Sequence, residues 1–202
     1  MKNILSSLVV FSIIILTLNS CKKDNGNANP GNNNAVYYMR FKLNGIQTEF
    51  KSVPICQSAY NSIDKVYVTG ILALKDSSKI DQDQIDIAIT NKDPLAPGAV
   101  YQDPVKVNSG TAAIPQIILT YYNSQQQSYI SMGLFSDDAG NFSSFLPDYK
   151  NLVANAKLTV SNIGSNYIKG TFSGTVFKLN TGTNIYDKIA LTDGEFNLRY
   201  KQ

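Results

Sequence analysis

The 202-residue chain contains no histidine and no tryptophan, and only two cysteines, Cys21 and Cys56. Without histidine there is no Ser-His-Asp or Cys-His nucleophile system, no His-ligated zinc site and no imidazole to act as a general base near neutral pH. Paired carboxylates, lysine and tyrosine are the catalytic groups that remain. The absence of tryptophan removes the strongest stacking side chain. Charge is sparse as well: 18 Lys and Arg stand against 15 Asp and Glu, a formal balance of +3. No basic cluster follows from that balance, so a nucleic acid is not expected as a partner.

What the chain does have begins at its N-terminus. Lys2 precedes a mostly apolar run over residues 4–18, which is shorter than the roughly 20 residues a membrane span needs and has the layout of an export signal. The run closes at Leu18-Asn19-Ser20-Cys21. This tetrad resembles the lipobox of bacterial lipoproteins, with Leu three residues before an obligatory Cys, and Asn-Ser-Cys followed by lysines is similar to lipoproteins of the Bacteroidota. The resemblance implies a signal peptide over residues 1–20 and lipid attachment at Cys21, with acyl chains on its sulfur and then its new amino group. Two or more chains hold a protein firmly to a membrane, whereas one does not. The plainer alternative is an ordinary secreted protein in which Cys21 is incidental. Lys22 is not the Asp associated with inner-membrane retention, which favours the outer membrane. Lys22-Lys23-Asp24 matches a surface-export signal only in part, so the periplasmic and external faces both stay open.

Residues 24–35 are Asn- and Gly-rich and carry no large apolar side chain. With Cys21 to Asp24 they make a linker over residues 21–35, whose flexible part reaches about 20 Å as a coil. Residues 36–202 then read as a single β-domain, long enough for a real core. Asn44-Gly45 is the preferred pair for a type I′ hairpin turn, and its register sets Met39 opposite Phe50 and Phe41 opposite Thr48 on one face, with Arg40 opposite Glu49 and Lys42 opposite Gln47 on the other. Alternation of apolar residues marks further strands at 65–75, with Val66, Val68, Leu72 and Leu74 in step, and at 85–89. Residues 114–122 and 128–135 look like a second hairpin, and 157–163 and 167–179 resume the period of two. Strands at 188–191 and 195–200 are joined by a turn at Asp193-Gly194, and 147–153 suggests a short helical turn. About nine or ten strands without helical periodicity predict an all-β fold, an antiparallel β-sandwich or a partly open barrel.

The opening hairpin, Gly98-Ala99-Val100-Tyr101, Gly170-Thr171-Phe172-Ser173-Gly174 and Thr192-Asp193-Gly194-Glu195-Phe196-Asn197 together resemble β-rich lipoproteins of the Bacteroidota. That likeness implies fold and location and brings no catalytic residues.

Three groups of residues are candidate sites. Asp137, Asp138 and Asn141 beside Gly140 have the oxygen-rich character of a calcium loop, and equally that of a tight turn. Asp81, Asp83 and Asp86 offer carboxylates for an acid-and-nucleophile pair, or a solvated rim. The tyrosines, in Tyr37-Tyr38, Tyr121-Tyr122, Tyr101, Tyr129 and Tyr149, should point one ring of each adjacent pair inward and leave the other to stack on a sugar or a partner protein. Cys56, in Val53-Pro54-Ile55-Cys56, reads as a small buried hydrophobe. The expectation is a non-enzymatic, lipid-anchored binding or scaffold domain without a cofactor, whose partner is a glycan or an envelope protein. The alternatives are a carboxylate-based glycan-processing enzyme and a structural subunit of a surface complex.

Overall fold

The computed structural model describes residues 36–79, 81–102, 116–131, 135–136, 142–143, 156–180, 182 and 185–201. Cys21, the Asp137-Asp138-Asn141 loop, Tyr149 and the helical turn expected at 147–153 lie outside them. The described residues form thirteen strands and no helix. In order these are β1 (Tyr38–Leu43), β2 (Ile46–Phe50), β3 (Ser52–Asn61), β4 (Val66–Leu74), β5 (Gln84–Asn91), β6 (Val100–Gln102) and β7 (Ile117–Tyr122). There follow β8 (Ser128–Ile130), β9 (Phe135–Ser136), β10 (Phe142–Ser143), β11 (Lys157–Ile163), β12 (Tyr167–Asn180) and β13 (Ile185–Lys201).

The opening hairpin has the expected register, with Met39 opposite Phe50 and Leu43 opposite Ile46. Asn44 and Gly45 both take positive φ, 48° and 86°, as a type I′ turn requires. The second expected hairpin is β7–β8, paired through Tyr121 and Tyr129.

Eleven strands make one sheet, in the order β2-β1-β13-β3-β4-β5-β7-β8-β12-β11-β6, and β12 also pairs with β13. The extra pairing closes β13-β3-β4-β5-β7-β8-β12 into a ring. The pairs β1–β2 and β11–β6 continue outward from it, so the fold is an all-β, partly open barrel. The ring is thinnest between β8 and β12, which meet at Ile130 and Phe177. The sheet is not wholly antiparallel, because β13 runs parallel to β3 through Arg199–Ile55, Tyr200–Cys56 and Lys201–Gln57.

Two sequence expectations change here. Asp193-Gly194 does not turn the chain back; residues 185–201 form one strand. Between Arg40–Glu195 and Lys42–Thr192, and between Phe172–Gly194 and Gly174–Leu191, β13 spends one residue more than either neighbour. The extra residue is a bulge at Asp193, whose φ is 51°. The Asp-Gly pair thus supplies positive φ as expected, but to bend a strand. Gly194 is required for a second reason: a Cβ there would collide with the Phe172 carbonyl oxygen and ring.

The other change is in β4. Thr69, Ile71 and Ala73 face the core, opposite Ile89, Ile87 and Ile85 of β5, while Val68, Leu72 and Leu74 face outward and are half-buried. Apolar residues occupy both faces of this strand, so alternation alone could not say which set points in. The segment around Pro54, read only as apolar surroundings for Cys56, is strand β3. Its ladder to β4 carries an extra residue between Ser52 and Ile55, which accommodates a proline that cannot donate.

A single apolar cluster fills the barrel and lies entirely within residues 39–200. Met39, Phe41 and Phe50 from the first hairpin meet Ile168, Phe172, Phe196 and Leu198 from the long strands. The Phe41 ring stands edge-on to Phe50 at 5.2 Å and tilted to Phe172 at 5.8 Å. Cys56 is fully buried among these residues, and burial pushes its thiol pKa up, so it packs as the expected small hydrophobe. Tyr37–Gln202 forms one compact unit that holds the core cluster of the described residues, so this stretch carries the core an independently folding domain needs. Truncating Phe41 to alanine is expected to cost about 3–5 kcal/mol. Thermal unfolding of residues 36–202 should show it as a midpoint roughly 10 °C lower.

Candidate functional site

The bulge at Asp193 gives the outer face of the sheet its relief. In β1 and β13 the inward positions are apolar, so Arg40, Lys42, Asp193 and Glu195 are left on the solvent side. Two adjoining grooves run across this face and share Asp193 and Glu195. One, of about 410 Å3, is lined by Arg40, Lys42, Gln47 and Glu49 together with the shared pair. The other, of about 420 Å3, adds Lys157, Thr159, Thr171, Phe172, Ser173 and Gly194 to it.

Both acids of the shared pair are held by cations. Arg40 donates from Nε at 3.0 Å and from Nη2 at 2.7 Å to Oε2 of Glu195, and Lys42 Nζ lies 2.9 Å from Asp193 Oδ2. The sequence register placed Glu49 opposite Arg40, and it is there, yet Glu49 makes its ion pair with Lys51 at 3.0 Å. Arg40 has strand neighbours on both sides and turns to the one on β13. Glu195 in turn holds the guanidinium above its usual range, first by hydrogen bonding and then by charge. The Arg40 guanidinium also lies 4.9 Å from the Tyr38 ring centre. The groove walls carry three cations, Arg40, Lys42 and Lys157, and three acids, Glu49, Asp193 and Glu195. With its Thr and Ser hydroxyls, the surface is dense in donors and acceptors and balanced in charge. The sequence showed Arg40, Lys42, Gln47 and Glu49 as the polar face of the first hairpin, but not their meeting with Asp193, Glu195 and Lys157, because the two grooves are assembled from five strands.

The Asp81–Asp86 cluster is dispersed. Asp81 is exposed. Asp83 lies 3.2 Å from Lys75 Nζ and accepts a hydrogen bond from the Tyr121 hydroxyl. Asp86 is on the outward face of β5, between Leu72 of β4 and Thr120 of β7, and is only 6% exposed. Its two carboxylate oxygens accept from Gln84 Nε2 at 2.8 and 3.0 Å. Burial raises its pKa to about 6, and the Gln84 hydrogen bond opposes that rise. Among the described residues no second carboxylate contributes to the shift, so none of them forms an acid pair sharing one proton with Asp86. Among the described residues, no three Asp, Glu or Cys side chains converge in a way that could hold a metal.

The tyrosine pattern holds for Tyr121, which is 3% exposed, and Tyr122, which is half-buried on the outer face. It fails at Tyr37-Tyr38, where neither ring enters the core: Met39 is the first inward residue, and the two rings meet Arg199 and Arg40. Tyr101 and Tyr129 are buried.

Two outcomes follow. A carboxyl whose folded pKa is raised adds stability at low pH and loses it as the pH climbs through about 6. Asp86→Asn should therefore stabilise residues 36–202 at pH 7, by about 2–3 kcal/mol at most, and flatten the fall in melting temperature between pH 5 and 7. At the bulge, Asp193→Ala should cost about 1 kcal/mol through its positive φ, whereas Asp193→Gly should leave the midpoint nearly unchanged, as a thermal melt of each would show. In comparisons with known proteins, no family model matches the chain, and no curated protein or solved structure matches it.

Proposed function

We propose that the chain is a lipid-anchored domain of the outer envelope that binds a neutral, hydroxyl-rich partner, such as an envelope glycan, without transforming it. The observation that carries the binding part is the double groove around Asp193 and Glu195, with three cations and three acids on its walls. A surface of that kind repels neither sign and offers many hydrogen bonds, which suits a polyol better than a phosphate or a nucleic acid. Each acid there lies within 3.0 Å of a cation. The anchored part rests on Leu18-Asn19-Ser20-Cys21 and the linker that follows.

The rival enzyme needs two facing acids, and the acid with a raised pKa, Asp86, has Gln84 on both its oxygens instead. A structural subunit would favour long open edges. The two edges of the large sheet, β2 and β6, are five and three residues long.

Thermal shift of residues 36–202 against a panel of neutral and acidic oligosaccharides tests the binding part. Ligand at a hundred times its dissociation constant should raise the midpoint by roughly 5–10 °C. Glu195→Gln combined with Asp193→Gly should abolish that rise while the unliganded midpoint stays within a few degrees. A shift that survives this pair, or turnover of the glycan, would overturn the assignment. For the anchor, Cys21→Ser in the full chain should abolish palmitate labelling and move the protein from the membrane to the soluble fraction.

A further inference from the structure

We propose that one end of the barrel, the end at which the chain enters it, is built to rest on an anionic lipid surface. The strand registers define that end. Because β3 and β13 are parallel, the end of β13 at Lys201 and the β3–β4 hairpin tip at residues 62–65 lie in the same direction. Strand β1 is antiparallel to β13, with Tyr38 opposite Asn197, so its first residue is at this end too. So is the start of β12, where Tyr167 faces Arg199.

The hairpin tip carries the apolar element. Ile63 is 82% exposed, and nothing in a water-soluble turn requires an isoleucine there. Beneath it Tyr60 and Tyr67 pair across the two strands with ring centres 5.0 Å apart, and Tyr60 is 55% exposed. Tyrosines flanking an exposed aliphatic tip are the arrangement that headgroup regions favour, ring in the acyl boundary and hydroxyl in water.

On the adjoining part of the rim, where β1, β13 and β12 lie beside β3, tyrosines alternate with cations. Arg199 lies 5.6 Å from the ring centre of Tyr37, and Lys169 lies 5.2 Å from that of Tyr167. Lys65, Lys92 and Lys201 are exposed at the same end, and so is Lys51, which follows Phe50 and is paired with Glu49; the other acids there among the described residues are Asp64 and Asp93. Among the described residues six cations against three acids make this end basic, although the chain as a whole carries only +3. Long cationic side chains reach headgroup phosphates while their stems lie along apolar surface.

The sequence before Tyr37 supports lipid as the occupant. In the lipid-anchored reading, the residues between Cys21 and Tyr37 span a coil length of the order of the headgroup layer, which holds this end beside the membrane. This proposal extends the anchored reading but does not require it, since the end can be tested with no acyl chain attached.

The test is co-sedimentation of residues 36–202 with vesicles of phosphatidylethanolamine and phosphatidylglycerol, against vesicles of phosphatidylcholine alone. Binding should require phosphatidylglycerol and weaken as salt is raised. Lys65→Gln and Lys201→Gln should each weaken it about fivefold, and Ile63→Ser about tenfold. Ile63 is almost fully exposed, so its variant keeps the wild-type melting temperature. Lys75→Gln with Lys79→Gln, at the opposite end, should change nothing. Absence of binding to both vesicles, or equal loss from the opposite-end pair, would overturn the proposal. A photoreactive residue replacing Ile63 in the full-length chain should capture lipid in cells, and capture of a protein instead would assign the end to a protein partner. The Cys21→Ser fractionation reads the anchor separately, so either idea can fail alone.

Discussion

The ladder between β12 and β13 is the interaction on which the rest of the structure depends. It runs from Tyr167–Arg199 to Asn180–Ile185, and each of its strands serves more than one neighbour on its outer edge. β13 offers its free edge first to β1 and then to β3; β12 offers its own to β11 and then to β8. Two flat strands of this length could not belong to a ring and to the two outer pairs at once. The accumulated twist has to be released somewhere, and the extra residue at Asp193 bends β13 within its pairing to β1 and β12, before its edge passes from β1 at Asn197 to β3 at Arg199. Close packing at that point demands glycine on both strands. A Cβ at Gly170 would strike the Thr159 carbonyl oxygen and the Phe196 ring, as one at Gly194 would strike Phe172.

The same bulge links architecture to the candidate site. A regular β13 would place its outward side chains in one row along a gently curved sheet. Bending the strand at Asp193 instead brings side chains from β1, β2, β11 and β12 around two carboxylates. The grooves are therefore a by-product of ring closure, and residues that interrupt the bulge change site and fold together. Asp86 is a contrasting case. Its carboxylate is on the outer face of the ring, away from both grooves, and its raised pKa reflects desolvation between Leu72 and Thr120 with Gln84 laid across it. Strong perturbation of one group identifies a buried group, and only a facing partner would make it catalytic.

Local chemistry explains which parts of this were legible in the sequence. The first hairpin could be read residue by residue, since Asn44-Gly45 specifies both a turn type and a register, and the all-β class followed from the period of two. What stayed hidden involves choices made between distant segments. The Asp193-Gly194 pair is equally suited to a turn and to a bulge, and only the pairing of 185–201 along Tyr167–Asn180 decides between them. The inward face of β4 is decided by β5 across the ladder, since both of its faces are apolar. Of the grooves only the wall from the first hairpin was legible, because no two adjacent strands contain them. Of the acids singled out in advance, Asp86 was recognisable as unusual only in that it interrupts Ile85, Ile87 and Ile89, which is also how any solvated strand reads.

The parallel contact between β13 and β3 fixes when this protein can become a barrel. The ring has no closure until Arg199, Tyr200 and Lys201 dock beside Ile55, Cys56 and Gln57, among the earliest residues of the fold. An emerging chain can form the first hairpin and the β3–β4–β5 meander, but the strand that seals them comes after everything else described. Pairings so distant in sequence form slowly. A chain of this design stays open while it is being made, and its commitment to structure is deferred until β13 has docked on both β12 and β3.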